Sequence, residues 1–177
     1  EWSMVPVPEP AILALRYGLS PSRPFSSRLT TEEFSSLDRA ARSIGMSAEQ
    51  LNVMRPWMAG MLLQAGATVE SGMDANSGVE MQLGKIFRPR RLPIRGLETM
   101  GEQIRVFSDL PEEDELAFLR DTVDQMDAAN DGFRELVDSW ARGDTSFIEK
   151  SIVDDMQAAS PVLYDALITR RNANWTD

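Results

Sequence analysis

Apolar residues recur along this chain at three- and four-residue spacings behind capping signals, and the pattern predicts a mainly α protein. Thr30 and Glu33 form a Thr-x-x-Glu box ahead of Phe34, Leu37, Ala41 and Ile44, which share one helical face, and Gly45 supplies the stop. Ser47 and Gln50 repeat the box for a brief helix, and Pro56 opens a longer one whose apolar face carries Trp57, Met58, Met61, Leu62 and Ala65. A mixed helix runs from Ser77 to Phe87 and ends at Pro89. Leu116, Leu119, Val123 and Met126 continue in register to Phe133, Val137 and Trp140, a spacing suited to packing against neighbouring helices, with Asn130-Asp131-Gly132 as a candidate break. Asp144 caps a short helix through Phe147, Ile148 and Ile152, and Ser160-Pro161 opens the last one.

One stretch departs from this rhythm. Leu92, Ile94 and Leu97, with Pro93 ahead, read as a short buried strand over residues 92 to 98, and Thr99 with Glu102 makes another capping box just beyond. Glu98 therefore stands where a strand hands over to a helix, the place where ligands gather in open α/β sheets. A carboxylate there can ligate a divalent metal or act as general base on a bound water. It can equally do no more than favour the dipole of the following helix. Residues 1 to 28 hold five of the ten prolines and read as an irregular lead-in with one helical run from Ala11 to Tyr17. The chain thus reads as a single domain: lead-in 1–28, helices 29–91, strand 92–98, helices 99–177. One or two short strands among so many helices suggest the helical part of an α/β fold whose sheet lies mostly outside these residues.

Composition narrows the chemistry. A chain of 177 residues with 42% hydrophobic content is long enough to bury about 70% of its unfolded surface. With 28 acidic against 18 basic residues the net charge is −10, which repels phosphate backbones and anionic lipid surfaces, so nucleic acid is not an expected partner. Cysteine and histidine are both absent, which removes disulfides, thiolate nucleophiles, Ser-His-Asp triads and Cys/His zinc sites. No apolar run approaches membrane-spanning length, and nothing within these boundaries reads as a targeting segment.

Other polar positions carry weaker signals. Arg171 lies one turn beyond Leu167 on the buried stripe of the last helix, where a guanidinium needs an anion, either a substrate oxygen or a structural acid. Arg170 is also close to the stripe through Leu163, so helical geometry does not choose between them. Asp127, Asn130, Asp131 and Gly132 faintly suggest a calcium loop, yet Ala129 and Asp138 occupy positions that should be a ligand and a bidentate glutamate. Lys85, Arg88, Arg90, Arg91 and Arg95 read as a solvated basic face. Met54, Met58 and Met61 beside Trp57 read as core filling, or as an adaptable face over Met54 to Leu63 that favours self-association if left uncovered.

Gly96-Leu97-Glu98-Thr99, then Glu102-Gln103 and Leu110-Pro111, resemble the TraB/GumN family, relatives of the Tiki proteins. Met54-Arg55-Pro56-Trp57, Ser77-Gly78-Val79-Glu80, Trp140 to Asp144, and Leu163-Tyr164 leading to Arg170-Arg171-Asn172-Ala173-Asn174-Trp175 agree in order, so the resemblance spans roughly residues 20 to 177. It implies a metal-dependent hydrolase of the peptidase kind, on an α/β scaffold whose site uses two Gly-x-x-His motifs, a glutamate and an arginine. In this sequence the resemblance points to Glu98 as metal ligand or base and favours Arg171 over Arg170. Glu1 falls where the family shows an acid at the end of its second strand, and Glu80 where relatives carry aspartate, although Glu80 also reads as a local cap or pair. Both Gly-x-x-His motifs are missing, so the chain reads as a central portion, inactive by itself. Its expected partners are the remaining strands of the parent domain and a peptide substrate, its expected cofactor is a divalent metal in the intact protein, and its implied location is periplasmic or secreted. The alternative is a non-catalytic helical interaction module.

Overall fold

The computed structural model describes residues 9–90, 92, 95–127 and 131–176, and these are mainly helical. Four helices make the first layer: α1 (Glu9–Gly18), α2 (Thr31–Ser43), the single-turn α3 (Ala48–Leu51) and α4 (Pro56–Glu70). After the outlying α5 (Val79–Phe87) come α6 (Met100–Ser108), α7 (Glu112–Asp127) and α8 (Asp131–Arg142). The chain closes with α9 (Thr145–Ile148), α10 (Asp155–Ala159), α11 (Pro161–Tyr164) and α12 (Arg170–Thr176), linked by π-helical stretches at Glu149–Asp154 and Asp165–Thr169.

Local chemistry explains the starts. At Thr30 and Ser47 the hydroxyl accepts from the N3 backbone N–H while the N3 Glu33 or Gln50 side chain accepts from the cap's own N–H, satisfying two orphan donors at each end. Gly45 comes after α2 with φ 77°, a left-handed turn that a Cβ would strain. Asp144 and Ser160 each accept from the N3 backbone N–H of the helix they precede.

α4 and α7 are the spine, and each serves two cores. On one side Ala59 and Leu63 of α4 join Leu116, Leu119 and Val123 of α7, with Leu37 and Ala41 of α2 and Leu51 of α3. On the other, Trp57 and Phe118 meet Ile104 of α6, Leu110, Leu163 and Ala166. Phe107 bridges the aromatic rings, its centroid 5.9 Å from Trp57 and 5.8 Å from Phe118. The second core therefore ties α6 to the C-terminal helices, which brings the two halves of the candidate site together.

Close approach of α4 and α7 depends on Gly60, where an added Cβ would stand 2.7 Å from the Phe118 ring. Gly60→Ala is expected to cost about 1–3 kcal/mol, because the ring has little room to retreat in a packed core. Urea unfolding should show a lower midpoint with an unchanged slope.

The fold departs from the sequence expectations in three places. The described part of the 92–98 segment is irregular chain with a bend at Leu97 and Glu98, and Leu92 and Leu97 are exposed; Pro93 and Ile94 lie outside the described residues. The apolar face of α4 is rotated from the one expected, since Trp57, Ala59, Gly60 and Leu63 are buried while Met61 and Ala65 are exposed; the small residues let α7 approach. Met54 and Met58, by contrast, pack against the cores as the core-filling reading expects. On α8, Val137 and Trp140 are exposed and Ser139 is buried, so the face this helix turns inward is not the one the apolar spacing pointed to.

Candidate functional site

Glu98 is held just ahead of α6. Thr99 accepts from the Glu102 N–H at 3.2 Å and its own N–H donates to Glu102 Oε2 at 2.7 Å, so the entry to the helix is fixed on both sides. The chain turns tightly before it: a Cβ at Gly96 would lie 3.0 Å from the Glu98 carbonyl oxygen. Across from this entry, Leu163, Ala166 and Leu167 pack into the second core, and α12 continues from that anchored segment.

The two segments meet in one contact. Arg171 Nε donates to Glu98 Oε2 at 3.1 Å and Nη2 donates to Oε1 at 2.5 Å, a fork-to-fork pair between residues 73 apart in sequence. Their side chains keep only 22% and 17% of their exposure. Trp175, one turn after Arg171, lies with its ring centroid 4.7 Å from the guanidinium carbon and covers one face of it. The Trp175 indole nitrogen is buried and has no hydrogen-bond partner among the described residues. Arg171 Nη1 makes no hydrogen bond among them either, so one edge of the guanidinium keeps its donors while the other is held by carboxylate.

The ambiguity between Arg170 and Arg171 is resolved by the π-helical turn at Asp165–Thr169. Its wider winding rotates α12 relative to an unbroken α-helix. Arg170 faces outward and donates through Nε to Asp165 Oδ2 at 2.6 Å, in an exposed pair.

Glu98 is a single carboxylate, and among the described residues no three Asp, Glu, His or Cys side chains come together as a metal centre. Both of its oxygens already accept from Arg171. These residues do not by themselves fit a divalent ion, which would need ligands from elsewhere and the release of a guanidinium hydrogen bond.

The remaining candidates lie apart. Glu1 is outside the described residues. Glu80 is exposed in the first turn of α5, and Lys85, Arg88, Arg90 and Arg95 are exposed as read, with Arg91 outside the described residues. Of the loop suggested around Asp127, Asp131 and Gly132 are helical as Asp127 is, and the residues from 128 to 130 lie outside the described ones.

Sequence reasoning missed a second charged pair. Arg55 Nη2 donates to Glu115 and, at 2.8 Å, to the Ser108 carbonyl, while Nη1 donates to the Tyr17 carbonyl at 3.4 Å. Glu115 is 1% exposed, and burial pushes its carboxyl above the ordinary range against the opposing pull of Arg55. Trp175 was not singled out either, although its four-residue spacing from Arg171 was the available signal.

This geometry defines a class: a mainly helical domain with a shielded carboxylate–guanidinium couple where α6 meets the C-terminal helix. The sequence profile of the TraB/PrgY/gumN family matches residues 8–177, and the chain belongs to that family. It is also similar to the protein named "Uncharacterized protein YbaP" from Escherichia coli (strain K12) and to its namesake in Shigella flexneri, each 25% identical over 150 residues. The alignment takes in 85% of this chain and 55% of each relative, so the chain spans about half the length of the curated relatives it matches. No solved structure matches it.

Proposed function

We propose that this chain is the helical portion of a hydrolase domain that cleaves peptide bonds, and that Glu98 and Arg171 are its contribution to the active site. The observation that carries the reading is an arginine whose Nη1 makes no hydrogen bond among the described residues, whose opposite edge is clamped by Glu98 and whose face is covered by Trp175. A guanidinium already neutralised by a carboxylate is poorly suited to a fully charged anion, which Glu98 would repel. It suits a neutral carbonyl oxygen that gains negative charge as the bond is attacked, because that charge develops where the donors already point.

Both Glu98 oxygens are held by Arg171, so the group that activates water is expected to lie outside this couple, and this chain supplies no imidazole for that role. The complete protein is therefore expected to cleave an unstructured peptide, while residues 1–177 alone leave it intact. Mass spectrometry of the products checks both; cleavage by the isolated residues, or none by the complete protein, counts against the reading.

A second reading, a non-catalytic helical interaction module, is favoured by the apolar surface of α5, none of whose residues is buried. It predicts no turnover from the complete protein.

A further inference from the structure

We propose that Trp175 is the positioning residue of the Glu98–Arg171 couple, and that it acts through its ring and not through its N–H. The hydrogen bonds from Nε and Nη2 join the guanidinium to the carboxylate along one edge. A planar group held along one edge can still tilt about that edge, and the tilt moves Nη1, the nitrogen opposite, further than the two that are held. The indole blocks this motion from one side, because the guanidinium carbon lies over the ring at 4.7 Å from its centroid. Arg171 and Trp175 are four residues apart on α12, so one helix sets the contact. The turn that carries the indole is itself closed by the Thr176 hydroxyl, which donates to the Ala173 carbonyl at 2.9 Å.

The ring and its nitrogen make opposite contributions. Trp175 Nε1 is buried without a hydrogen-bond partner among the described residues, a cost that a phenyl or aliphatic side chain would not carry. What the indole offers Arg171 is its π face, the best of the aromatic rings for a cation. The same face keeps water from one side of a couple whose side chains retain 22% and 17% of their exposure, and so strengthens both hydrogen bonds. If Nη1 receives a carbonyl oxygen, as in the proposed peptidase, an Arg171 that cannot tilt needs little reorganisation as negative charge develops.

Two measurements read this role, and only the second rests on the peptidase reading. In isotopically labelled residues 1–177, nuclear magnetic resonance should place the Arg171 Nε–H upfield, under the Trp175 ring current, and in slow exchange with water. Trp175→Leu should remove that shift and speed the exchange about tenfold or more, the factor that a partly desolvated cation–ring contact corresponds to. Trp175→Phe should keep most of the protection, with a urea midpoint that is unchanged or higher because the stranded N–H is gone. In the complete protein Trp175→Leu should lower kcat about tenfold and leave KM within about twofold, while Trp175→Phe stays within about threefold of the parent.

Exchange unmoved by Trp175→Leu overturns the proposal, whether or not the complete protein cleaves peptides. Trp175→Phe behaving like Trp175→Leu overturns it too, by giving the role to the N–H. Full kcat in Trp175→Leu has the same effect, since an indole that only packs α12 would change stability alone. A complete protein without peptidase activity defeats the proposed function, and the exchange measurement then decides the role of Trp175 by itself.

Discussion

Arg55→Ala is expected to lower the free energy of unfolding by about 3–5 kcal/mol at neutral pH, the usual cost of removing one member of a buried ion pair. Arg55 precedes Pro56 at the start of α4, and its guanidinium gathers the carbonyls of Tyr17 and Ser108, at or near the ends of α1 and α6, with the carboxylate of Glu115 in the first turn of α7. Without it Glu115 is a buried charge with no cation beside it among the described residues and only the Trp57 backbone N–H near enough to favour its charged form. The two carbonyls also lose a donor. The penalty should therefore depend on pH with a definite sign. Burial raises the folded carboxyl above its ordinary value of 4.5, and loss of Arg55 removes an opposing influence, so the variant's folded state binds the proton more tightly still. A group raised in this way contributes most at low pH and loses that contribution as pH rises through its folded value. The deficit of Arg55→Ala relative to the parent should then shrink between about pH 7.5 and about pH 5. Urea midpoints at matched pH measure it. Capping carboxylates such as Glu33, which hydrogen bonds to Thr30 and Arg120 hold low, weaken both proteins alike at acid pH and cancel in the comparison. Replacing both members of the pair, Arg55→Met together with Glu115→Leu, should recover much of the loss by exchanging two charges for apolar contacts. A pH-independent deficit would show that the lost carbonyl bonds, not the stranded carboxylate, dominate.

The second large effect is on turnover. Arg171→Lys in the complete protein is expected to reduce kcat/KM for peptide cleavage about 100-fold or more, in line with the loss of one preorganised oxyanion donor. Lysine keeps the charge but lacks the planar fork that lets one edge grip Glu98 while the Nη1 edge makes no hydrogen bond among the described residues. The pair is not wholly buried, with 22% and 17% of the two side chains exposed, so the ammonium can still answer Glu98 and thermal stability should change little. The two readouts separate the functional account from a structural one. If Arg171 served only to fasten α12 to the entry of α6, stability would fall with activity retained.

The reach of sequence reasoning tracks the reach of the interactions. The capping boxes at Thr30, Ser47 and Thr99 were legible because both partners lie three residues apart. The face of α4 was not, because counting large apolar side chains overlooks Ala59 and Gly60, whose lack of bulk lets Phe118 approach. Leu92, Ile94 and Leu97 have too short an alternation to specify a strand without a neighbour to pair with. Glu98 and Arg171 could each be singled out, by their place at a helix entry and on an inward stripe aided by family resemblance. That their side chains meet depends on α6 and the C-terminal helices sharing a core, and the preference over Arg170 depends on a π-helical turn. Arg55 and Glu115, 60 residues apart, left no local signal of their pairing.

The central claim is that Glu98 and Arg171 act as one unit in the chemistry. It is tested most directly by kcat/KM for the complete protein carrying Glu98→Gln, Arg171→Lys and both together. The double variant should lose no more than the worse single variant, since either change alone already dismantles the couple. Losses that multiply would contradict the claim, as would singles that cleave peptide at the parent rate.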